Sequence, residues 1–404
     1  MPTYVQPVPA APTGGVRRRF HLILPPDWAY HVPLPLILTL HGHDGDLELF
    51  NYNNTRFFEL LYRRYWEDLG DPPPKFAVVC LESSHVGLRE DTVSHTFWSP
   101  GGNWAAGFET FVGPFTQVDD VGYAAEVIIE LSARLEATLA RMEISGPALE
   151  RVCLVGHSHG ATMVTRLAME LPALLPPGLP LSAIAMVSGT IGGVGSQHEL
   201  DTSTTTPAVE RDWSPSAPFQ VSVLGIVGLQ DEVAPMFGVN WARANGSCSG
   251  ELGCHPGLDC SDPISVPFVA ANPYKLAPAQ TCYDQDLNPK PEYEQRLNPS
   301  AVVAKEETPF RYRFTYKMAA YGEAMGSTDS VVFALVTRTI RHLDGTSDCI
   351  ALHHWTPVTS GAVVHAVIDP DGMHSWPDHA EPGFKFDGAV MIWDFFRDPM
   401  MWSP

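Results

Sequence analysis

The sequence predicts an α/β fold, with a mostly parallel central sheet, helices on both faces and a cysteine-containing insertion. Three observations carry this. Short apolar runs bounded by turn residues recur along the chain, and several are apolar on both faces, as strands covered on each side require. Amphipathic stretches of helical period lie between them.

In chain order the predicted strands are FHLILP (20–25), PLILTL (35–40), FAVVCLE (76–82), RVCLVG (151–156), AIAMVSG (183–189), VSVLGIVG (221–228) and AVVHAVID (362–369). The predicted helices are TRFFELLYRRYWEDL (55–69), YAAEVIIELSARLEATLARM (123–142) and ATMVTRLAMEL (161–171). Alternation stops between about 236 and 330, where Pro, Asn, Gly and four cysteines take over. That segment is expected to be a lid-like insertion over the edge or mouth of the sheet, because structureless stretches of this size are uncommon unless functional. Residues 1–16 are expected to be a flexible amino-terminal segment, and 17–404 one domain.

With 46 acidic against 25 basic residues the formal net charge is −21, which repels phosphate backbones and anionic lipid. Neither nucleic acid nor a membrane surface is an expected partner, and no apolar run reaches the ~18 residues of a membrane helix. Cys248, Cys254, Cys260 and Cys282 crowd into the insertion without the short C-x2-C knuckles of zinc sites, so two disulfides are expected, with three pairings open. Cys80 and Cys153 lie in apolar runs and read as buried thiols. The amino terminus lacks the basic start and the roughly 7–15-residue apolar core of a secretory signal. The cysteines nonetheless point to an oxidising compartment. The expectation is a secreted or periplasmic protein whose signal peptide has been removed, with the cytoplasm as the alternative.

The segment that carries chemistry is Gly156-His157-Ser158-His159-Gly160. It follows a predicted strand and opens a predicted helix, the setting in which a tight turn lifts a serine hydroxyl out at the carboxyl end of a sheet. A serine needs a base within hydrogen-bond reach and a carboxylate to orient that base, in the chain order Ser, acid, His for this architecture. Asp231 stands just past a strand end and is favoured over Glu232, Asp344 and Asp348. His374 stands in a Gly-containing loop after the last strand. His365 falls inside a strand run and reads as packed, while His353, His354 and His379 lack a strand-to-loop setting. His157 and His159 are locked in the turn.

The stretch LTLHGHDGD (38–46) places two His and two Asp directly after an early strand. A zinc motif of the form H-x-H-x-D-H laid on His41 would need Asp at 45 and His at 46, where the chain has Gly45 and Asp46, so no metal is expected. The loop's backbone fits better, since serine chemistry needs two N–H groups aimed at a developing oxyanion. The expected donors are the N–H of His43 and of His159.

Together, RRRFHLILPP, LHGHDGD, Asn103-Trp104-Ala105-Ala106-Gly107, VDDVGY, GHSHG, GLQDEVAP and GMHSWP resemble the α/β-hydrolase esterases that include poly(3-hydroxybutyrate) depolymerases and feruloyl esterases. The resemblance runs from about residue 17 to the end and leaves the insertion uncovered. It implies Ser158 as nucleophile, Asp231 as acid, His374 as base, His43 as the early oxyanion donor, no cofactor, and a polyester or aromatic, feruloyl-type ester as substrate. It makes Asp119 and Asp120 structural. His159 departs from the usual Asn or Ala after the serine. Trp104 and Trp376 are expected to offer flat apolar surface to substrate. Rival readings are a small-ester carboxylesterase or acyltransferase on the same fold, and a non-catalytic binding module.

Overall fold

The computed structural model describes residues 4–7, 19–42, 55–62, 74–82, 84–85, 96–97, 120–189, 219–228, 231, 318, 321–322, 324–325, 333–341, 347–355, 361–369, 372–378 and 386–402. Twelve strands are found among them: β1 (Tyr4–Pro7), β2 (Arg19–Ile23), β3 (Leu34–Leu40), β4 (Ala77–Leu81), β5 (Ser84–His85), β6 (Thr96–Phe97), β7 (Leu149–His157), β8 (Leu181–Val187), β9 (Ser222–Gly228), β10 (Phe333–Arg341), β11 (Ser347–Trp355) and β12 (Val364–Asp369). The α-helices are α1 (Phe57–Tyr62), α2 (Asp120–Arg141), α3 (His159–Glu170) and α4 (Gly388–Arg397). None of the described helices is long and apolar enough to cross a membrane.

Ten of these strands form one sheet in the order β1-β2-β4-β3-β7-β8-β9-β12-β11-β10, and β5 pairs with β6 apart from it. The middle six, β4 through β12, run parallel. Antiparallel wings flank them, β1 and β2 on one side, β11 and β10 on the other. A parallel block with helices on both faces is the α/β layering that the sequence predicts.

The parallel strands read as continuous apolar runs because each face is buried against its own layer. Leu36, Leu38, Leu40, Val152, Leu154, Ile184 and Met186 join the cluster under α2 and α3. Their neighbours in sequence, Ile37, Cys153, Val155, Ala183, Ala185 and Val187, join the opposite cluster with α1 and α4. The two-residue period of a strand thus sorts one apolar run into two cores. Helix α2 buries Val121, Ala124, Ile128, Leu131, Leu135 and Leu139, a stripe at spacings of three and four.

Burial sets the state of the two cysteines within the parallel block. It pushes the Cys80 thiol up to about 12, opposed by the Thr39 hydroxyl bonded to its sulfur at 2.7 Å, and the Cys153 thiol up to about 11, opposed by Ser182. Neither is a thiolate at neutral pH.

Several features lie beyond the sequence-based expectations. Within the amino-terminal segment expected to be flexible, Tyr4–Pro7 extends the sheet, with Tyr4 opposite Leu22 and Pro7 opposite Arg19. The β10–β11 ladder, from Phe333↔Trp355 to Arg341↔Ser347, has polar residues scattered through it, so it lacks the unbroken apolar run of the parallel strands. Helix α4, which the sequence reading does not include, is buried apart from Asp394 and Arg397, which lie three residues apart on one face. Within the segment expected to be the insertion, Met318, Tyr321, Ala324 and Met325 belong to the α2–α3 core. The Phe219 N–H donates to the Ala324 carbonyl at 3.0 Å, and the Phe219 and Tyr321 rings lie 5.3 Å apart. The remainder of the insertion, with its four cysteines and their expected disulfides, lies outside the described residues.

At the crossing of β3, β7 and α3 the backbones touch. A Cβ on Gly156 would sit 2.3 Å from the Gly160 carbonyl oxygen, and one on Gly160 would sit 2.3 Å from the Leu40 carbonyl oxygen. Both obstacles are main chain, so neither can swing aside. Gly160→Ala is therefore expected to lower unfolding free energy by at least about 2 kcal/mol. A urea midpoint shifted down at unchanged slope would register it; an unshifted midpoint would refute the crowding.

Candidate active site

Ser158 occupies the single residue between β7 and α3, at φ 53° and ψ −119°. For a residue with a Cβ this is strained, by about 1–3 kcal/mol. The surroundings enforce it: the Ser158 N–H donates to the Val187 carbonyl of β8 at 2.8 Å, while its own carbonyl accepts from Ala161 N–H at 2.9 Å in the first turn of α3. Held from both sides, the residue projects its hydroxyl from the carboxyl edge of the parallel block. The N–H groups opening α3 lack partners within the helix, and the positive end of its dipole lies behind the serine.

The other two members arrive on neighbouring strand ends. Asp231 follows β9, is 1% exposed and is turned back by its N–H to the Gly228 carbonyl at 3.3 Å. His374 follows β12. Its Nδ1 lies 3.0 and 2.9 Å from the two carboxylate oxygens of Asp231, and its Nε2 lies 2.8 Å from Ser158 Oγ. A carboxylate only accepts, so Nδ1 carries the ring proton and Nε2 presents a lone pair to the serine hydroxyl. The structure thus brings Ser158, Asp231 and His374 into one hydrogen-bonded line.

Backbone contact and an arginine hold the His374 loop. A Cβ on Gly228 would lie 2.0 Å from the Gly372 carbonyl oxygen, so the loops carrying acid and base meet main chain to main chain. Further on, Arg56 donates from Nη1 to Asp378 at 2.8 Å, and from Nε and Nη2 to both Glu59 oxygens at 3.0 Å. Asp387, which caps α4, lies 3.9 Å from the same Nη1. Arg56 thereby ties α1, the His374 loop and α4 together. Nothing in the stretch NNTRFFEL marks it, because its partner Asp378 is 322 residues away.

The remaining candidates divide. His159 opens α3 directly behind Ser158, so its backbone N–H is at the helix's free amino end. His43 and Trp104 lie outside the described residues, as do Asp119, Glu232, Asp344 and His379. Gly42, the residue before His43, packs onto the serine, where an added Cβ would be 3.1 Å from Ser158 Cβ. Trp376 is 6% exposed and meets Phe57 edge-on, 6.3 Å between centroids, within the apolar cluster around α4. Asp120 is buried at the start of α2. His365 is buried in β12, with Nε2 3.2 Å from the Pro399 carbonyl and its ring edge-on to Phe395. His353, His354 and Asp348 lie in β11, in the antiparallel wing. No group of three or more His, Cys, Asp and Glu among the described residues could hold a metal ion.

His157 sits beside the base, ring centroids 5.3 Å apart. The residue keeps some exposure, but its Nε2 is closed off from solvent. Burial, then the neighbouring His374, pull its pKa down to about 3, against a hydrogen bond with the Ser375 backbone that raises it. A neutral imidazole therefore faces the base at working pH. An unfolded imidazole binds its proton near ~6.5. Between that value and about 3 the unfolded chain holds the extra proton, so stability falls as pH drops through this window. Replacing His157 with Gln should flatten that dependence, by at most about 1.4 kcal/mol per pH unit. Chemical denaturation at a series of pH values measures it, and an unaltered slope would contradict a neutral His157.

No protein-family model matches the sequence, and no curated protein does. Among solved structures the chain is similar to a poly(3-hydroxybutyrate) depolymerase from Bordetella parapertussis, at 14% identity and a TM-score of 0.30, over 57% of this chain and 68% of that one. It is also similar to an S-formylglutathione hydrolase from Agrobacterium tumefaciens, at 17% identity and a TM-score of 0.33, over 57% and 76%. A carboxylesterase from Bacillus cereus shows 12% identity and a TM-score of 0.28, over 54% and 74%.

Proposed function

We propose that the chain is a serine carboxylic-ester hydrolase working through an acyl-enzyme. The observation that carries this reading is the unbroken line from Ser158 Oγ to His374 Nε2 at 2.8 Å and from His374 Nδ1 to Asp231 at 2.9 Å. In the forward step Ser158 Oγ bonds to the ester carbonyl carbon while its proton passes to His374 Nε2. His374 then gives that proton to the leaving alkoxide as the ester C–O bond breaks. Water, deprotonated by the same nitrogen, releases the acid and restores the serine. Asp231 keeps Nδ1 protonated and stabilises the imidazolium formed in between. The N–H groups of His159 and His43 meet the oxyanion of each tetrahedral intermediate. The position of Gly42 against Ser158 supports the second of these assignments, since the chain enters His43 from there.

The substrate class is a polyester or an aromatic, feruloyl-type ester. It rests on the resemblance of the ordered motifs to the esterases that include poly(3-hydroxybutyrate) depolymerases and feruloyl esterases.

A panel of short and long p-nitrophenyl esters, methyl ferulate, a polyhydroxybutyrate suspension and an amorphous aromatic polyester film tests both parts. Ser158→Ala is expected to reduce turnover by about 10⁴-fold or more, and Asp231→Asn by about 10⁴-fold through the wrong histidine tautomer. Full turnover by Ser158→Ala would sink the mechanism. Release confined to short soluble esters would remove the polymer from the substrate class.

A further inference from the structure

A second serine mirrors Ser158 one strand away. Ser188 is the residue immediately after β8, is fully buried, and has φ 45°. Its N–H donates to the Ile226 carbonyl of β9 at 2.8 Å, as the Ser158 N–H donates to Val187 of β8. Two serines at the ends of adjacent parallel strands thus share a positive φ. Their hydroxyls address consecutive residues: Ser158 Oγ meets His374 Nε2 at 2.8 Å, and Ser188 Oγ donates to the Ser375 carbonyl at 3.2 Å.

We propose that Ser188 is a positioning residue for His374, acting by holding the Ser375–Trp376 peptide, one residue past the base. The inference rests on the reading of Ser158, His374 and Asp231 as a catalytic line. The Ser375 N–H donates to the Met373 carbonyl at 2.9 Å, so residues 373–375 form a tight turn with His374 at its centre. A tight turn can still tilt as a unit, swinging the imidazole off the serine. Asp231 resists this at Nδ1 only. Ser188 adds a fixed point on the backbone one residue past the ring, and His157, hydrogen-bonded to the Ser375 backbone, adds another from the neighbouring strand. A hydroxyl that merely capped a buried carbonyl would serve as well from relaxed backbone. The positive φ at Ser188 accompanies a side chain that reaches from the end of β8 to the carbonyl of the residue next to His374, and strain of this kind collects at functional sites.

The test uses the full chain with Ser188→Ala, Ser188→Gly, His374→Ala and the Ser188→Ala/His374→Ala pair. Turnover of p-nitrophenyl butyrate gives kcat and KM, and the rate of Ser158 labelling by a fluorophosphonate probe follows the variants that turn over too slowly. Ser188→Ala should lower kcat roughly three- to tenfold with KM changed less than about twofold, as loss of one neutral hydrogen bond suggests. Ser188→Gly, which loses the hydroxyl but relieves the backbone, should show the same loss and remains informative if the alanine variant folds poorly. In the His374→Ala background, removing Ser188 should leave the labelling rate unchanged. Wild-type kcat in either single Ser188 variant, or an equal fractional loss without His374, overturns the proposal while leaving the triad standing. Labelling at the wild-type rate by His374→Ala overturns the triad reading and this inference with it.

Discussion

Everything at the site depends on how closely three backbones pass one another. With hydrogen in place of Cβ at Gly156 and Gly160, β3, β7 and α3 come together without a side chain between them. That approach leaves Ser158 one residue in which to reverse from strand to helix, and forces the backbone into φ 53°. The strain is local, but what maintains it is distributed: a 2.8 Å bond to β8, a first helical turn already closed on the Ser158 carbonyl, and a parallel block buried on both faces. A looser crossing would let the turn relax and withdraw the hydroxyl from the imidazole.

The imidazole's orientation has a separate origin. Asp231 is 1% exposed, so little water competes for its oxygens, and both lie within hydrogen-bond distance of Nδ1. The loop bearing His374 is then fixed along its length: by main-chain contact with Gly228 at its start, by Ser188 at its middle and by Arg56 at its end. These contacts come from β9, β8 and the segment leading into α1, elements that share nothing in the sequence. Their convergence follows from strand order, which places β8 between the strand of the serine and the strand of the acid.

Legibility in the sequence follows the same division. Continuous apolar runs revealed the parallel strands because burial on both faces leaves few polar positions, and GHSHG stood out because local geometry dictates its glycines. The positions of Asp231 and His374 could be narrowed by chain order and strand ends. Arg56 and Ser188 could not, since each matters only through a partner brought close by the fold, and neither an arginine just before a helix nor a serine ending an apolar strand run carries a local mark. Helix α4 is short, and its apolar run AVMIW reads equally well as a buried strand. The β10–β11 wing and the strand at Tyr4–Pro7 extend the sheet by backbone pairing, which leaves little trace in side-chain pattern.

The separation of the interacting residues along the chain bears on how the protein is made. Ser158 and His374 are 216 residues apart, Asp231 and His374 are 143 apart, and Arg56 waits 322 residues for Asp378. A chain growing from the ribosome completes the strained serine turn and both helices beside it long before the base exists. Until β12 is added, β9 is an exposed parallel edge and the acid has no imidazole to orient. Ser158 therefore has no imidazole to meet through most of synthesis, and the line from Ser158 to Asp231 closes only once β12 and the loop after it are made. Vectorial synthesis thus gives this fold a built-in delay, in which the three side chains meet only after most of the sheet's strands have been made.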